Sequence, residues 1–249
     1  MFKFVKKVFL MDSIKEQYED SKPKKIICID PGHGKNKKGF FERPLMKIGM
    51  MDVEILSGGK PHPEDGAPRT YREDTGTLKI AKKLREALEV MGYKVVLTRE
   101  DERNAKEFQK QTFVNEHGGI GLWRKKWPKW KWIKWVAKEN DADLFISLHT
   151  NAGGGSGPVA FWAHKKSKKL GEILCRTISK YFNLNVRGVK KRRFLILRNI
   201  AKKNSILFEI MFHDSPRDLR LLISEKQTNR ISQAMAEGIH EFLEHDSGR

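Results

Sequence analysis

Ile26-Ile27-Cys28-Ile29-Asp30-Pro31-Gly32-His33-Gly34 reads as a buried strand that ends in a sharp turn. Four branched or small apolar residues bounded by Pro and Gly fit a strand covered on both faces. Pro31 and the two glycines stop it and leave His33 on a loop at its carboxyl end. In open α/β sheets that edge is where ligands bind.

Outward from this stretch, strands and helices alternate. Residues 35 to 70 are rich in Gly, Pro and Lys and read as a long loop, of a length usually reserved for function or disorder. Leu78, Ala81, Leu84, Ala87, Leu88 and Met91 recur at helical spacing, so a helix is expected from Asp74 to Met91, with Gly92 as its stop. Tyr93 to Thr98 is a strand. Pro128 to Asn140 is a helix with Pro in its first turn. Leu144 to His149 is a strand closed by Asn151 and three glycines. Val159 to Ala163 reads as an edge strand, Leu170 to Phe182 as a helix, Phe194 to Leu197 as a short strand, Ser205 to Ile210 as a strand, and Glu225 to Leu243 as the last helix. The alternation implies an α/β domain with a mostly parallel central sheet and helices on both faces, spanning residues 24–245.

The 249 residues suit one sizeable core. Hydrophobic residues make up 39% and charged residues 33%, the composition of a globular domain. No apolar run approaches the ~20 residues that span a bilayer. The net charge of +19 points to an anionic partner: nucleic acid, an anionic membrane surface or an anionic wall polymer. Cys28 and Cys175 give no disulfide framework and sit among apolar neighbours as inert core residues. Residues 1–23 read as a basic, apolar amphipathic extension. It has no small-residue cleavage site, so it is not read as a secretory signal.

Three polar residues fall at comparable places. His33 follows the first strand, His149 ends the Leu144–Leu148 strand, and Glu209 lies in an apolar strand where a carboxylate needs a partner. Glu73, at the start of the first long helix, is by itself ordinary first-turn chemistry. Two imidazoles and a carboxylate from one sheet edge could hold zinc with a position left open, the mark of a catalytic site. A further carboxylate beside the ion could serve as general base. Spacing alone does not establish the set, because the four residues are far apart in the chain.

The chain resembles the zinc-dependent N-acetylmuramoyl-L-alanine amidases of the amidase_3 type. The matching pieces run in the family's order: Ile29-Asp30-Pro31-Gly32-His33-Gly34, Asp65-Gly66-Ala67, Glu73 ahead of Leu78 to Leu84, Gly92 to Arg99, Ala142 to Ala152, and Ile206 to Phe212. The resemblance covers about residues 24–243. It implies an α/β fold, zinc held by His33, Glu73 and His149, and Glu209 as the catalytic carboxylate. The implied reaction cuts the amide between N-acetylmuramic acid and L-alanine in peptidoglycan.

Two stretches depart from the family pattern. One is the loop from Lys35 to Arg72. The other is Leu122 to Val136, where five tryptophans are interleaved with Lys and Arg. On a helix from Pro128, the residues Trp130, Ile133, Val136 and Ala137 form an apolar stripe. Trp132 and Trp135 fall off it. They either meet sugar rings or a membrane interface, with Asn151 as a further substrate contact, or pack under the long loop. The run Lys190-Lys191-Arg192-Arg193 belongs to a basic surface that would be drawn to wall polymers or anionic lipid. His117, His164 and His213 are expected at the surface or beside the site. A chain made in the cytoplasm without a signal peptide would reach the wall on lysis, as a phage endolysin does, or when a sporulating mother cell lyses. The competing class is a non-catalytic binder of nucleic acid or anionic polymer. That class leaves the histidines and Glu209 at strand ends without a role.

Overall fold

The computed structural model describes residues 25–34, 50–52, 70–118, 124, 126–198, 200 and 204–246. The expected extension over 1–23, most of the 35–72 loop, the Asp65-Gly66-Ala67 piece and Trp123 lie outside the described residues.

In chain order the elements are β1 (Ile26–Pro31), β2 (Met50–Asp52), β3 (Thr70–Arg72), α1 (Glu73–Val90), β4 (Lys94–Leu97), α2 (Ala105–His117), α3 (Lys129–Glu139), β5 (Leu144–Asn151), β6 (Val159–Trp162), α4 (Lys165–Phe182), β7 (Gly188–Lys191), a 3-10 turn (Leu195–Leu197), β8 (Ser205–Phe212), α5 (Pro216–Ile223) and α6 (Glu225–Asp246). Six strands form one sheet in the order β4-β1-β5-β8-β6-β7, and β2 and β3 pair antiparallel in a separate two-stranded sheet. All neighbours in the large sheet are parallel except β6 and β8. The expected α/β class is thus observed, with helices on both faces.

The two faces follow from strand alternation. Ile27, Ile29, Leu144, Ile146, Leu148, Ile206, Phe208 and Ile210 belong to the larger core, which α1, α4, α5 and α6 cover. Cys28 and Phe145 belong to the smaller one, closed by Ala105 of α2, Ile133, Val136 and Ala137 of α3, and Leu197. Both cysteines are free and buried, as expected, one in each core. Burial pushes the Cys28 thiol well above its ordinary value and Cys175 up to about 12, so neither is a ready thiolate.

Several elements differ from the sequence expectation. Phe194–Leu197 is not a strand; Leu195–Leu197 is a single 3-10 turn whose Leu197 is buried and whose Leu195 is exposed. Val159–Trp162 is not an edge, because β7 pairs on its far side. That edge strand, Gly-Val-Lys-Lys, lacks an apolar pattern and carries the lysines that discourage further pairing. Helices α2 and α5 were not expected. α2 buries only Ala105 and Gln109, so its periodicity is weak, yet Asn104 caps it by accepting from the Glu107 N–H at 3.0 Å. α5 begins Ser215-Pro216 with Asp218 in its first turn. Both carry start signals that periodicity alone passes over.

The tryptophan stretch is also corrected. Trp132 is fully buried, packed edge-on against Trp127 and Trp135, whereas Trp130 is only half-buried beneath the ammonium groups of Lys131 and Lys134. The buried stripe of α3 is Trp132, Ile133, Val136 and Ala137. α3 is therefore rotated toward α2, where Phe113 supplies aromatic partners at 6.4 Å from Trp132 and 5.6 Å from Trp135. A fully buried Trp132 cannot meet a substrate.

Candidate metal centre

The carboxyl ends of β1 and β5 and the amino end of α1 converge on one point. His33 lies two residues past β1 with φ 62°, a left-handed conformation that is uncommon for a residue with a side chain. Such strain persists where the surroundings over-determine it, and it clusters at functional sites. Both flanking glycines have a physical reason. A Cβ on Gly32 would lie 2.5 Å from the His149 ring, and Gly34 has φ 113° with the Asn104 backbone 2.7 Å from the same construction. Gly32 also extends the ladder, donating to the Leu148 carbonyl at 2.8 Å.

Glu73 opens α1 and faces both histidines. His33 Nε2 is 3.3 Å from Glu73 Oε2, and His149 Nδ1 is 2.9 Å from Glu73 Oε1. The Thr150 N–H donates to the same Oε1 at 3.1 Å. The two rings stand edge to face, 4.9 Å apart. The three side chains are 14% to 18% exposed, open enough for a ligand and dry enough to strengthen charge interactions. Burial acts to raise the Glu73 carboxyl, but hydrogen bonds and charge from His149 and His33 outweigh it and hold the group well below the usual carboxylate range. Burial acts to lower His149, and Glu73, with Glu209 and Asp30 behind it, outweighs that and raises it.

One donor atom from each of His33, Glu73 and His149 lies within 4.8 Å of the others, and these three residues could hold a metal ion. Donors about 2.0–2.1 Å from a tetrahedral ion stand roughly 3.4 Å apart, and the Glu73 carboxylate lies 3.3 Å from one imidazole and 2.9 Å from the other, through a different oxygen for each. The donor types therefore fit. Glu209 is in register with His149 on the neighbouring strand, so the two side chains share a face of the sheet.

Other residues support this edge. Arg99 is fully buried. Its guanidinium donates to the carbonyls of Pro31 (3.0 Å), Gly32 (2.9 Å), Asp74 (2.7 Å) and Asp101 (2.8 Å), tying the turn that carries His33 to the helix start that carries Glu73. Asp30 accepts from Thr98 Oγ1 at 2.6 Å and Ser147 Oγ at 2.8 Å. Sequence reasoning passed over both residues, though Arg99 ends a strand, where a buried cation needs a purpose. His213, expected at the surface or beside the site, is buried beside it; its Nδ1 lies 3.0 Å from Thr150 Oγ1, which also accepts from Tyr71. Asn151 ends β5, with its Oδ1 accepting from the Ala152 N–H. Trp132 and Trp135 are not gathered here; they belong to the aromatic cluster between α2 and α3.

Residues 27–241 match the Amidase_3 model, described as N-acetylmuramoyl-L-alanine amidase, and the chain belongs to that family. A curated relative, the probable cell wall amidase LytH of Staphylococcus aureus, is 23% identical over 218 residues, 86% of this chain. The chain spans 57% of the length of that relative. Among solved structures, the catalytic domain of CwlV from Paenibacillus polymyxa var. colistinus matches at TM-score 0.61 and 22% identity, covering 88% of this chain and 98% of that one. AmiC2 of Nostoc punctiforme matches at 0.62 and 23%, covering 90% and 99%. These likenesses carry the fold.

Proposed function

We propose that the chain is a zinc-dependent peptidoglycan hydrolase that cuts the amide between N-acetylmuramic acid and L-alanine. The observation that carries this is the convergence of His33, Glu73 and His149, with donor atoms within 4.8 Å, at the carboxyl edge of a parallel sheet. Two imidazoles and one carboxylate are a catalytic zinc set with a position left over for substrate chemistry. Family membership supplies the bond.

Zinc, when bound, supplies polarisation of the amide carbonyl and lowers the pKa of water. The remaining work falls to the chain. Glu73 is held in place by the Thr150 N–H and by the start of α1. Glu209 takes a proton from the attacking water at its carboxylate and passes it to the leaving nitrogen, the new amino terminus of L-alanine. The register of β8, which pairs Glu209 with His149 on the neighbouring strand, supports that role. Asn151, two residues beyond His149, is assigned a contact to the substrate. The place of action is the cell wall, and no described helix is long and apolar enough to cross a membrane.

Metal analysis with digestion of purified peptidoglycan tests the reading. One zinc per chain and new L-alanine amino termini are expected. A metal-loaded protein that releases sugar reducing ends or internal peptide termini instead would overturn the assigned bond. The binder alternative gains nothing from the geometry, since it gives the metal set and Glu209 no task.

A further inference from the structure

A second surface lies at the opposite end of the sheet. β6 runs antiparallel to β8, so Val159 sits beside Glu209 and Trp162 beside Ile206. β7 is parallel to β6 and pairs Gly188 with Val159 and Lys191 with Trp162. The chain therefore leaves β7 at the amino-terminal edge of β5 and β8, about 10 Å along the ladder from Glu209 and directed away from it.

There Lys190, Lys191, Arg192, Arg193, Phe194 and Leu195 form an unbroken exposed run. Among the described residues, none of the four cations is paired with a carboxylate. Phe194 is 40% and Leu195 52% exposed, two of the four large apolar side chains at the described surface. The turn that presents them is fixed. Leu197 is buried and its N–H donates to the Phe194 carbonyl at 3.0 Å. Arg198 Nε donates to the Arg193 carbonyl at 2.7 Å, and the Phe194 ring rests 5.5 Å from Phe161. α3 packs against this turn and adds the exposed Lys138 of its carboxyl-terminal turn. Burial, and then the charges of Lys138 and Arg198, hold the pKa of the Lys134 ammonium below its ordinary value, in keeping with that clustering of charge.

We propose that this end docks on an anionic lipid bilayer, the cations meeting headgroup phosphates and Phe194 and Leu195 entering the interface. Basic residues around exposed apolar ones are the two components of interfacial binding. Charge kept for solubility explains the cations but not the apolar pair. A hydrated polyanion such as a wall polymer satisfies the cations and offers Leu195 nothing to enter. Docked this way, the sheet points its carboxyl edge, with the metal centre, away from the bilayer. That consequence rests on the proposed wall substrate; the docking itself does not, and its test involves no cleavage.

The test is sedimentation of the full chain with vesicles of phosphatidylcholine alone or mixed equally with phosphatidylglycerol. Partitioning onto the anionic vesicles should be stronger by a factor on the order of 10 or more. Replacing Lys190, Lys191, Arg192 and Arg193 together by Gln should remove most of that preference. Phe194→Ser with Leu195→Ser should weaken binding several-fold while the chain stays folded and metal content stays as in the parent. A Leu195→Cys variant carrying an environment-sensitive fluorophore should shift to the blue on anionic vesicles and not on soluble polyglycerol phosphate; Cys28 and Cys175 are buried and stay unlabelled. Unchanged vesicle binding by the Ser double variant would overturn the proposal. So would polyglycerol phosphate binding as tightly as vesicles with no dependence on Phe194 and Leu195, which would make this a polyanion surface.

Discussion

Glu73 and Glu209 are both acidic residues at one sheet edge, and their surroundings differ. Glu73 lies between two imidazoles and accepts from both and from the Thr150 N–H, a geometry that suits the proposed ligand role. Glu209 sits beside His149 without being one of the three clustered donors. Glu209→Gln should therefore keep zinc and fold normally while turnover falls by a factor on the order of 10² or more. Glu73→Gln, and His33→Ala or His149→Ala, should lose metal. Zinc content and rate measured together on these variants separate the roles; loss of metal only in Glu209→Gln would reverse them. Gly32→Ala is a sharper local probe. Its Cβ would lie 2.5 Å from the His149 ring, so zinc affinity should fall although no ligand is altered. Arg99→Lys should not rescue Arg99→Met. One ammonium cannot span the four carbonyls that the guanidinium bonds, and each orphaned carbonyl costs about 1–3 kcal/mol. Thermal unfolding of the two variants checks this.

At the scale of elements, α3 shows packing overriding position. A helix whose Trp130, Trp132 and Trp135 are spread around its circumference has no unique inward face until a neighbour is chosen. α2 supplies Phe113, and α3 turns Trp132 into that contact. Trp132→Ala should cost about 3–5 kcal/mol, the range for deleting a large buried aromatic, and should lower the melting temperature without a selective effect on any substrate. A variant that melted normally and lost only adsorption to walls would contradict this packing. The β5–β8 pair makes a related point. Its register aligns His149 with Glu209, and the irregularity beyond it lets Asn151 pair with Phe212 rather than with the next residue in step. A one-residue slip would turn Glu209 to the other face, so strand register, set by the apolar face of β8, positions this proposed base.

At the scale of the whole molecule, the three candidate metal ligands come from separate parts of the chain that meet only when the sheet and α1 are assembled. Zinc should therefore bind the folded chain far better than the unfolded one and raise its stability. At a free zinc concentration 100 times Kd the gain is about 2.7 kcal/mol, and a chelator should remove it. Scanning the melting temperature against zinc concentration checks this. A chain whose melting temperature ignored zinc and chelator alike would hold no metal at this centre. The proposed bilayer-docking surface and the candidate metal centre lie at opposite edges of the same sheet, so changes at one should leave the other's occupancy untouched.

The sequence by itself determined the α/β class and the central strands, and it nominated four candidate site residues. Alternating apolar runs specify strand and helix locally, and Asp30-Pro31-Gly32-His33-Gly34 encodes a turn through residue types with few conformations. It left open whether His33, Glu73 and His149 could meet, because nothing in linear spacing carries residues 33 and 149 together. Tertiary structure decided that through parallel pairing of β1 with β5, and pairing of β5 with β8 set Glu209 in register with His149. It also decided the inward face of α3, the edge position of β7 and the exposure of Phe194 and Leu195. These depend on which surface a neighbour covers, and burial is a property of the assembled core that no single segment contains.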